Sequence, residues 1–253
     1  MISLATLGLV LQNPLITRAH SHNDYMQVRP LDEALDNGFN SVEVDVFPVN
    51  GKLLVSHNEK DIKPERTIES MYLDRLSKRA KTNHGVIYPG SKTTFWVLVD
   101  VKRDATLSYS LFKQVLDKYP ELKPSGLGLR SKVRFVISGE RDYAAIAADK
   151  GKWAGIDGRI EDLDKKYTFE QMPWISGDWG ALFPIDKEGP NYFGANFKRP
   201  GPMVKAIHAE HRLVRFWGAS DTEVMWKYHW DLGIDLLNTD HISALRSWIL
   251  KQH

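Results

Sequence analysis

Along most of the chain, short apolar runs rich in β-branched and aromatic residues alternate with segments whose apolar positions recur at helical spacing. The clearest alternation is Val42-Glu43-Val44-Asp45-Val46. Residues two apart in a strand share a face, so this stretch predicts a row of valines on one side and two adjacent carboxylates on the other. Just upstream, Leu31, Ala34 and Leu35 recur at helical spacing after Pro30, with Asn37-Gly38 as a C-cap, and Leu15–His20 reads as a short strand. Strand, helix and strand in succession form the βαβ unit of a parallel sheet. Asn50-Gly51 is a hairpin turn signal, and the strand after it, Lys52–His57, folds His57 back toward the end of the strand carrying Glu43 and Asp45.

Phe95–Lys102 is the most apolar and β-prone segment; it predicts a buried central strand with Asp100 and Lys102 on one face of its end. Setting the hairpin strand aside, eight principal strands are expected near residues 16, 43, 98, 135, 156, 175, 215 and 236. Helical patterns fall near 106–119, 140–150, 202–210 and 221–230 and from Ile242 onward. Eight strands alternating mostly with helices predict an α/β fold of the (β/α)8 TIM-barrel class, a single domain over residues 13–253. In such a barrel the reactive groups sit at the C-terminal strand ends, where His20, Glu43, Asp45, Asp100, Lys102, Ser138, Asp178, Trp217 and Asn238 all fall. The stretch Trp174–Tyr192 is unusually aromatic, which suits either contact with a lipid or leaving group or a plug of the barrel end.

Charge and composition narrow the classes. With 34 basic against 32 acidic side chains, net charge gives no argument for a nucleic-acid partner. The absence of cysteine removes disulfides, Cys-ligated zinc and a thiol nucleophile. Residues 1–12 are apolar and read as a remnant of a secretion signal or a flexible N-terminal segment, which favours a secreted or periplasmic setting over a cytoplasmic one. No run approaches the ~20 apolar residues of a spanning helix.

Glu43, Asp45 and Asp100 supply three hard oxygen donors, which suit one divalent cation, Mg²⁺ or Ca²⁺. Lys102 beside them fits a bound phosphate, and His20 and His57 fit a pair that takes and gives a proton, His20 as the base and His57 as the acid. Together these parts point to metal-assisted cleavage of a phosphodiester, by attack of water or of a hydroxyl of the substrate itself. A sugar-active hydrolase using Glu43 or Asp178, and a barrel that only binds its ligand, are the rival readings.

The run from His20 to Asn58, with its H-x-x-N-D-Y start, V-E-V-D-V and L-L-V-S-H-N, resembles the glycerophosphodiester phosphodiesterase and phosphatidylinositol-specific phospholipase C-like superfamily. It is most similar to the branch that includes the fungal altered inheritance of mitochondria protein 6, and the likeness continues through Asp100-Val101-Lys102 and, more weakly, Trp217 and Asn238. The resemblance implies a PLC-like phosphodiesterase barrel in which His20 and His57 are catalytic and Glu43, Asp45 and Asp100 hold the cation. Lys102, Trp217 and Asn238 would then meet the substrate, a small-molecule or lipid phosphodiester, which leaves peripheral membrane contact open. One departure is that Ser21 stands where glycerophosphodiesterases have an arginine, so Lys102, Arg18 or Arg103 would have to hold the phosphate.

Overall fold

The computed structural model describes residues 14–91, 93–123, 132–183 and 200–252; the apolar segment 1–12 and the part of the aromatic stretch beyond Phe183 lie outside them. In chain order the strands are β1 (Ala19–Ser21), β2 (Ser41–Val49), β3 (Lys52–Val55), β4 (Phe95–Val101), β5 (Val133–Gly139), β6 (Gly155–Gly158), β7 (Trp174–Asp178), β8 (Leu213–Trp217) and β9 (Leu237–Thr239). The helices are α1 (Asp32–Asp36), α2 (Asp74–Thr82), α3 (Ala105–Leu116), α4 (Tyr143–Ala148), α5 (Trp179–Leu182), α6 (Pro200–Ala209), α7 (Glu223–Leu232) and α8 (Ile242–Ile249). Strands pair in the order β8-β7-β6-β5-β4-β2-β1-β9, parallel throughout, and a bridge between Arg215 and Leu236 brings the two ends together. The result is a nearly closed parallel barrel of eight strands alternating with helices, the expected (β/α)8 class.

Each expected strand has a counterpart, with shifts at the short ones. The first begins at Ala19, because Thr17 and Arg18 turn away and Ile16 contributes only a bridge to Phe39. The Ala-rich helix is confined to Tyr143–Ala148, where Asp142 accepts the Ala145 N–H at its start. The hairpin forms as its turn chemistry requires: Asn50 and Gly51 both take positive φ, 47° and 74°, and β3 runs antiparallel to β2.

Alternation sorts the strand residues into two packing regions. Val42, Val44 and Val46 belong to the main core between sheet and helices, with Leu35, Leu76 and Phe112. Trp96, Leu98, Val136, Trp174 and Leu236 form a separate apolar cluster within the barrel. Burying a large side chain of this kind contributes on the order of 2–3 kcal/mol, so the filled interior is a floor and not a channel. Register then places the polar groups above it: Asp45 pairs with Asp100 and Asp100 with Ser138, a row across β2, β4 and β5, while His20 pairs with Asn238. Among the described residues no helix is long and apolar enough to cross a membrane.

Candidate active site

A cavity of about 340 Å³ opens at the C-terminal ends of the strands, lined by His22, Asn23, Glu43, His57, Asp100, Lys102, Ser138, Gly139, Arg159, Arg215 and Trp217. Glu43, Asp45 and Asp100 each bring one carboxylate oxygen within 4.8 Å of the other two, on neighbouring strands β2 and β4. Lys102 bridges two of them, its ammonium donating to Asp45 Oδ2 at 2.7 Å and Asp100 Oδ2 at 3.0 Å. Burial opposes the lysine charge, but Asp100 and Asp45 outweigh it and raise its pKa.

The other oxygen of each aspartate, Oδ1, is buried without a hydrogen-bond partner among the described residues. An unpaired buried carboxylate oxygen is costly, and two beside a third carboxylate repel one another as well. Burial and the Glu43 charge accordingly push the Asp45 carboxyl up to about 6 and raise that of Asp100. Close hard oxygens that lack protein partners are what a divalent cation takes as ligands, so these residues fit one. Backbone shape protects the arrangement: at Gly139, φ +66°, an added Cβ would come within 2.0 Å of Asp100 Oδ1.

The histidines differ in position. His57 follows β3 and is half exposed, with Nδ1 2.9 Å from the Tyr25 hydroxyl and 3.2 Å from Asp45 Oδ2. Tyr25 itself donates to Asp45 Oδ2 at 2.6 Å, so two oxygens surround Nδ1, an arrangement that favours the tautomer with Nδ1–H and a free Nε2 lone pair. His20 is fully buried, with Nδ1 2.7 Å from Ser41 Oγ, Nε2 3.2 Å from Glu43 Oε2 and its ring edge-on to Trp174 at 5.9 Å. Burial and the Arg215 charge lower its pKa to about 4, and it does not line the cavity. His22 does line it, with Nδ1 3.0 Å from Asp240 Oδ1. Burial opposes the charge on His22, yet the hydrogen bond to Asp240 and the Glu43 charge raise its pKa.

The cations that reach the cavity are not all the expected ones. Arg18 hydrogen-bonds the carbonyls of Ile234 and Trp230 and stacks on the Trp230 ring at 3.8 Å, while Arg103 pairs with exposed Glu59. Neither lines the cavity. Instead Arg215, buried in β8, donates to Glu43 and, through Nε, to Asn238 Oδ1 at 2.9 Å; Arg159, which follows β6, lines the cavity as well. Burial resists ionisation of Glu43, but Arg215 and then His20 hold it well below the usual carboxylate range. Trp217 lines the cavity, whereas Asn238 lies behind it and steadies Arg215. Asp178 turns to the Ala181 N–H at 3.0 Å and stands outside. Of the aromatic stretch, Trp179 and Phe183 pack on one another and on Phe216.

Residues 10–123 match the family model of the AIM6-like phosphodiesterase domain. The chain is 24% identical to the altered inheritance of mitochondria protein 6 homolog of Arthroderma benhamiae, over 90% of this chain and 82% of that protein. It is 27% identical to altered inheritance of mitochondria protein 6 of Saccharomyces cerevisiae (91% and 70% of the two chains) and 36% identical to that of Lachancea thermotolerans (91% and 65%). Among solved structures, a glycerophosphodiester phosphodiesterase from Parabacteroides distasonis superposes with a TM-score of 0.57 at 15% identity, covering 93% of this chain and 97% of that one. A phosphodiesterase of Oleispira antarctica, solved with the product sn-glycerol-3-phosphate, gives 0.54 at 11% identity over 92% and 96%. At these identities the likeness carries the fold.

Proposed function

We propose, from the premise that this chain carries an AIM6-like phosphodiesterase domain on a glycerophosphodiesterase-type barrel, that it is a phosphoric diester hydrolase acting on a glycerophosphodiester or (lyso)phospholipid head group. The observation that carries this reading is the pair of partnerless buried oxygens, Asp45 Oδ1 and Asp100 Oδ1, beside Glu43 under a cavity lined with Lys102 and Arg215. Glu43, Asp45 and Asp100 would hold one divalent cation, Mg²⁺ or Ca²⁺, which supplies positive charge to the phosphate.

Lys102 and Arg215 bind the phosphate oxygens; Arg215 supplies from β8 the cation that Ser21 does not supply from β1. His57, its Nδ1 fixed by Tyr25 and Asp45, takes the proton from the attacking water at Nε2. His22, held by Asp240, gives the proton to the leaving oxygen. His20, read from its sequence motif as the base of the catalytic pair, instead orients Glu43 from behind in this reading, because a fully buried imidazole does not meet the substrate. Substrate contact from Trp217 is part of the same reading, and Asn238 contributes through Arg215.

Hydrolysis of bis(4-nitrophenyl) phosphate tests it. The expected result is turnover by the wild type with added Mg²⁺ or Ca²⁺, loss with EDTA, and loss in Glu43→Gln. Turnover that EDTA and Glu43→Gln both leave intact overturns the reading.

A further inference from the structure

We propose that the wall formed by Ser138, Arg159 and Trp217 selects diesters whose head group carries hydroxyl or acidic groups and turns away amines and quaternary ammonium ions, with Arg159 as the specificity-determining residue. This rests on the phosphodiesterase reading of the same cavity. The strand order separates the two walls: the acidic cluster and Lys102 belong to β2 and β4, and passing outward through β5 and β6 to β8 the lining becomes Ser138, Gly139, Arg159 and Trp217. With the phosphate at the first wall, one ester substituent faces the second.

Arg159 is anchored at one end and open at the other. Its Nη1 donates to Asp157 Oδ2 at 2.9 Å and to the carbonyls of Asp157 and Gly158 at 3.0 Å each. Its Nη2 makes one long contact among the described residues, 3.4 Å to Ser138 Oγ. A guanidinium has five N–H donors in a fixed fork, so this one presents unspent donors to the cavity without needing to be ordered on binding. Hydroxyl, carboxylate and phosphate oxygens are its natural partners.

An ammonium ion would find nothing comparable. Its usual receptor is an aromatic face, but the Trp217 ring already has the Arg159 guanidinium 4.7 Å and the Arg215 guanidinium 5.8 Å from its centre. The carboxylate on this side, Asp157, is fully buried and engaged by Ser138, Ser176 and Arg159. The remaining carboxylates of the site, Glu43, Asp45 and Asp100, are engaged by Arg215 and Lys102 and would hold the cation. A positively charged head group would sit beside two guanidiniums, and among the described residues that line the cavity no carboxylate is free to offset them; like charges so placed reduce affinity.

The test compares glycerophosphoinositol with glycerophosphocholine on the full chain with added Mg²⁺ or Ca²⁺. The wild type is expected to favour the inositol diester by roughly tenfold or more in kcat/KM, a difference of about 1.4 kcal/mol. Arg159→Met should bring the ratio toward one, and Arg159→Lys should keep part of it. Equal or better use of the choline diester by the wild type, or an unchanged ratio in a folded Arg159→Met, overturns the proposal. Calorimetric binding of the same two diesters reads the preference even without turnover, and equal binding or none overturns it too. Turnover of bis(4-nitrophenyl) phosphate with no head-group preference sinks this inference alone; a binding preference without turnover of any diester sinks the hydrolase reading alone.

Discussion

Asp157 on β6 and Asp45 on β2 are both fully buried within the mouth of the same barrel, yet their carboxylates are in opposite condition. Asp157 receives Ser138 Oγ at 2.8 Å, Arg159 Nη1 at 2.9 Å and Ser176 Oγ. Burial works against its charge, but the Arg159 and Arg215 guanidiniums and the two hydroxyls hold its pKa below the ordinary value. Asp45 has one oxygen crowded by Tyr25, Lys102 and His57 and the other with no partner, and burial with the Glu43 charge pushes its carboxyl up to about 6. The difference teaches how to separate a carboxylate that holds the wall together from one that waits for a ligand. Both are buried; only the first is satisfied.

Removing the charge from each should therefore fail in different ways. Asp45→Asn is expected to lower diester hydrolysis by roughly 10²–10³-fold. Its melting temperature in chelator should be unchanged or raised, since a repelled charge is gone. Asp157→Asn should instead lower stability by about 3 kcal/mol by leaving Arg159 without its counter-ion. Denaturant melts and turnover on the same preparations separate the two outcomes. A large stability loss in Asp45→Asn together with a stable, inactive Asp157→Asn would reverse the assignment.

A smaller contrast lies between the two histidines at β1. Taking His22 as the proton donor, His22→Gln lowers kcat by roughly 10²-fold. Asp240→Asn should lower it less and move the basic limb of the pH–rate profile to lower pH, because the carboxylate that raises the His22 pKa has been removed. His20→Gln should act through Glu43, raising the cation concentration needed for half-maximal rate without moving that limb. A shifted limb in His20→Gln and none in His22→Gln or Asp240→Asn would return the proton role to the buried imidazole.

That distinction shows where the sequence stops being readable. The strands are legible because parallel strands covered on both faces are near-continuous apolar runs, as in Phe95–Val101. Glu43, Asp45, Asp100 and Lys102 are legible because charges interrupt those runs at strand ends. His20 and His22 are two residues apart and share a face, so spacing ranks them equally. Depth separates them: His20 pairs in register with Asn238 and its ring meets Trp174, and that register depends on contacts with distant strands. Arg215 had a visible signal, a charge between Val214 and Phe216 in an apolar strand, but its partner Glu43 is 172 residues away. Arg159 had none, since it lies just beyond its strand in a polar loop whose path only the fold determines; Tyr25 closes the H-x-x-N-D-Y run, but its reach to Asp45 and His57 depends on the fold as well.

His229 sharpens the comparison from outside the site. Its Nε2 is also buried without a partner among the described residues, but Trp179 and Phe216 pack against its ring, so it serves as an apolar packing group only while neutral. Burial lowers its pKa from 6.5 to about 4. A folded-state value below the unfolded one gives stability that is complete above the unfolded pKa and is lost as pH falls toward the folded one. Between pH 6.5 and 5 this amounts to about 2 kcal/mol, which His229→Phe should abolish in melts recorded across that range. A wild-type acid limb that His229→Phe leaves unchanged would assign the acid sensitivity to other groups.

The claim beneath all of this is that Asp45 Oδ1 and Asp100 Oδ1 are unpartnered because they are ligands. Titration calorimetry of chelator-treated protein with Mg²⁺ and with Ca²⁺ addresses it without reference to any substrate. One-to-one binding of at least one ion by the wild type, lost in the folded Asp45→Asn/Asp100→Asn double variant, is the predicted result. Wild-type protein that binds neither ion, or a double variant that binds as the wild type does, contradicts it.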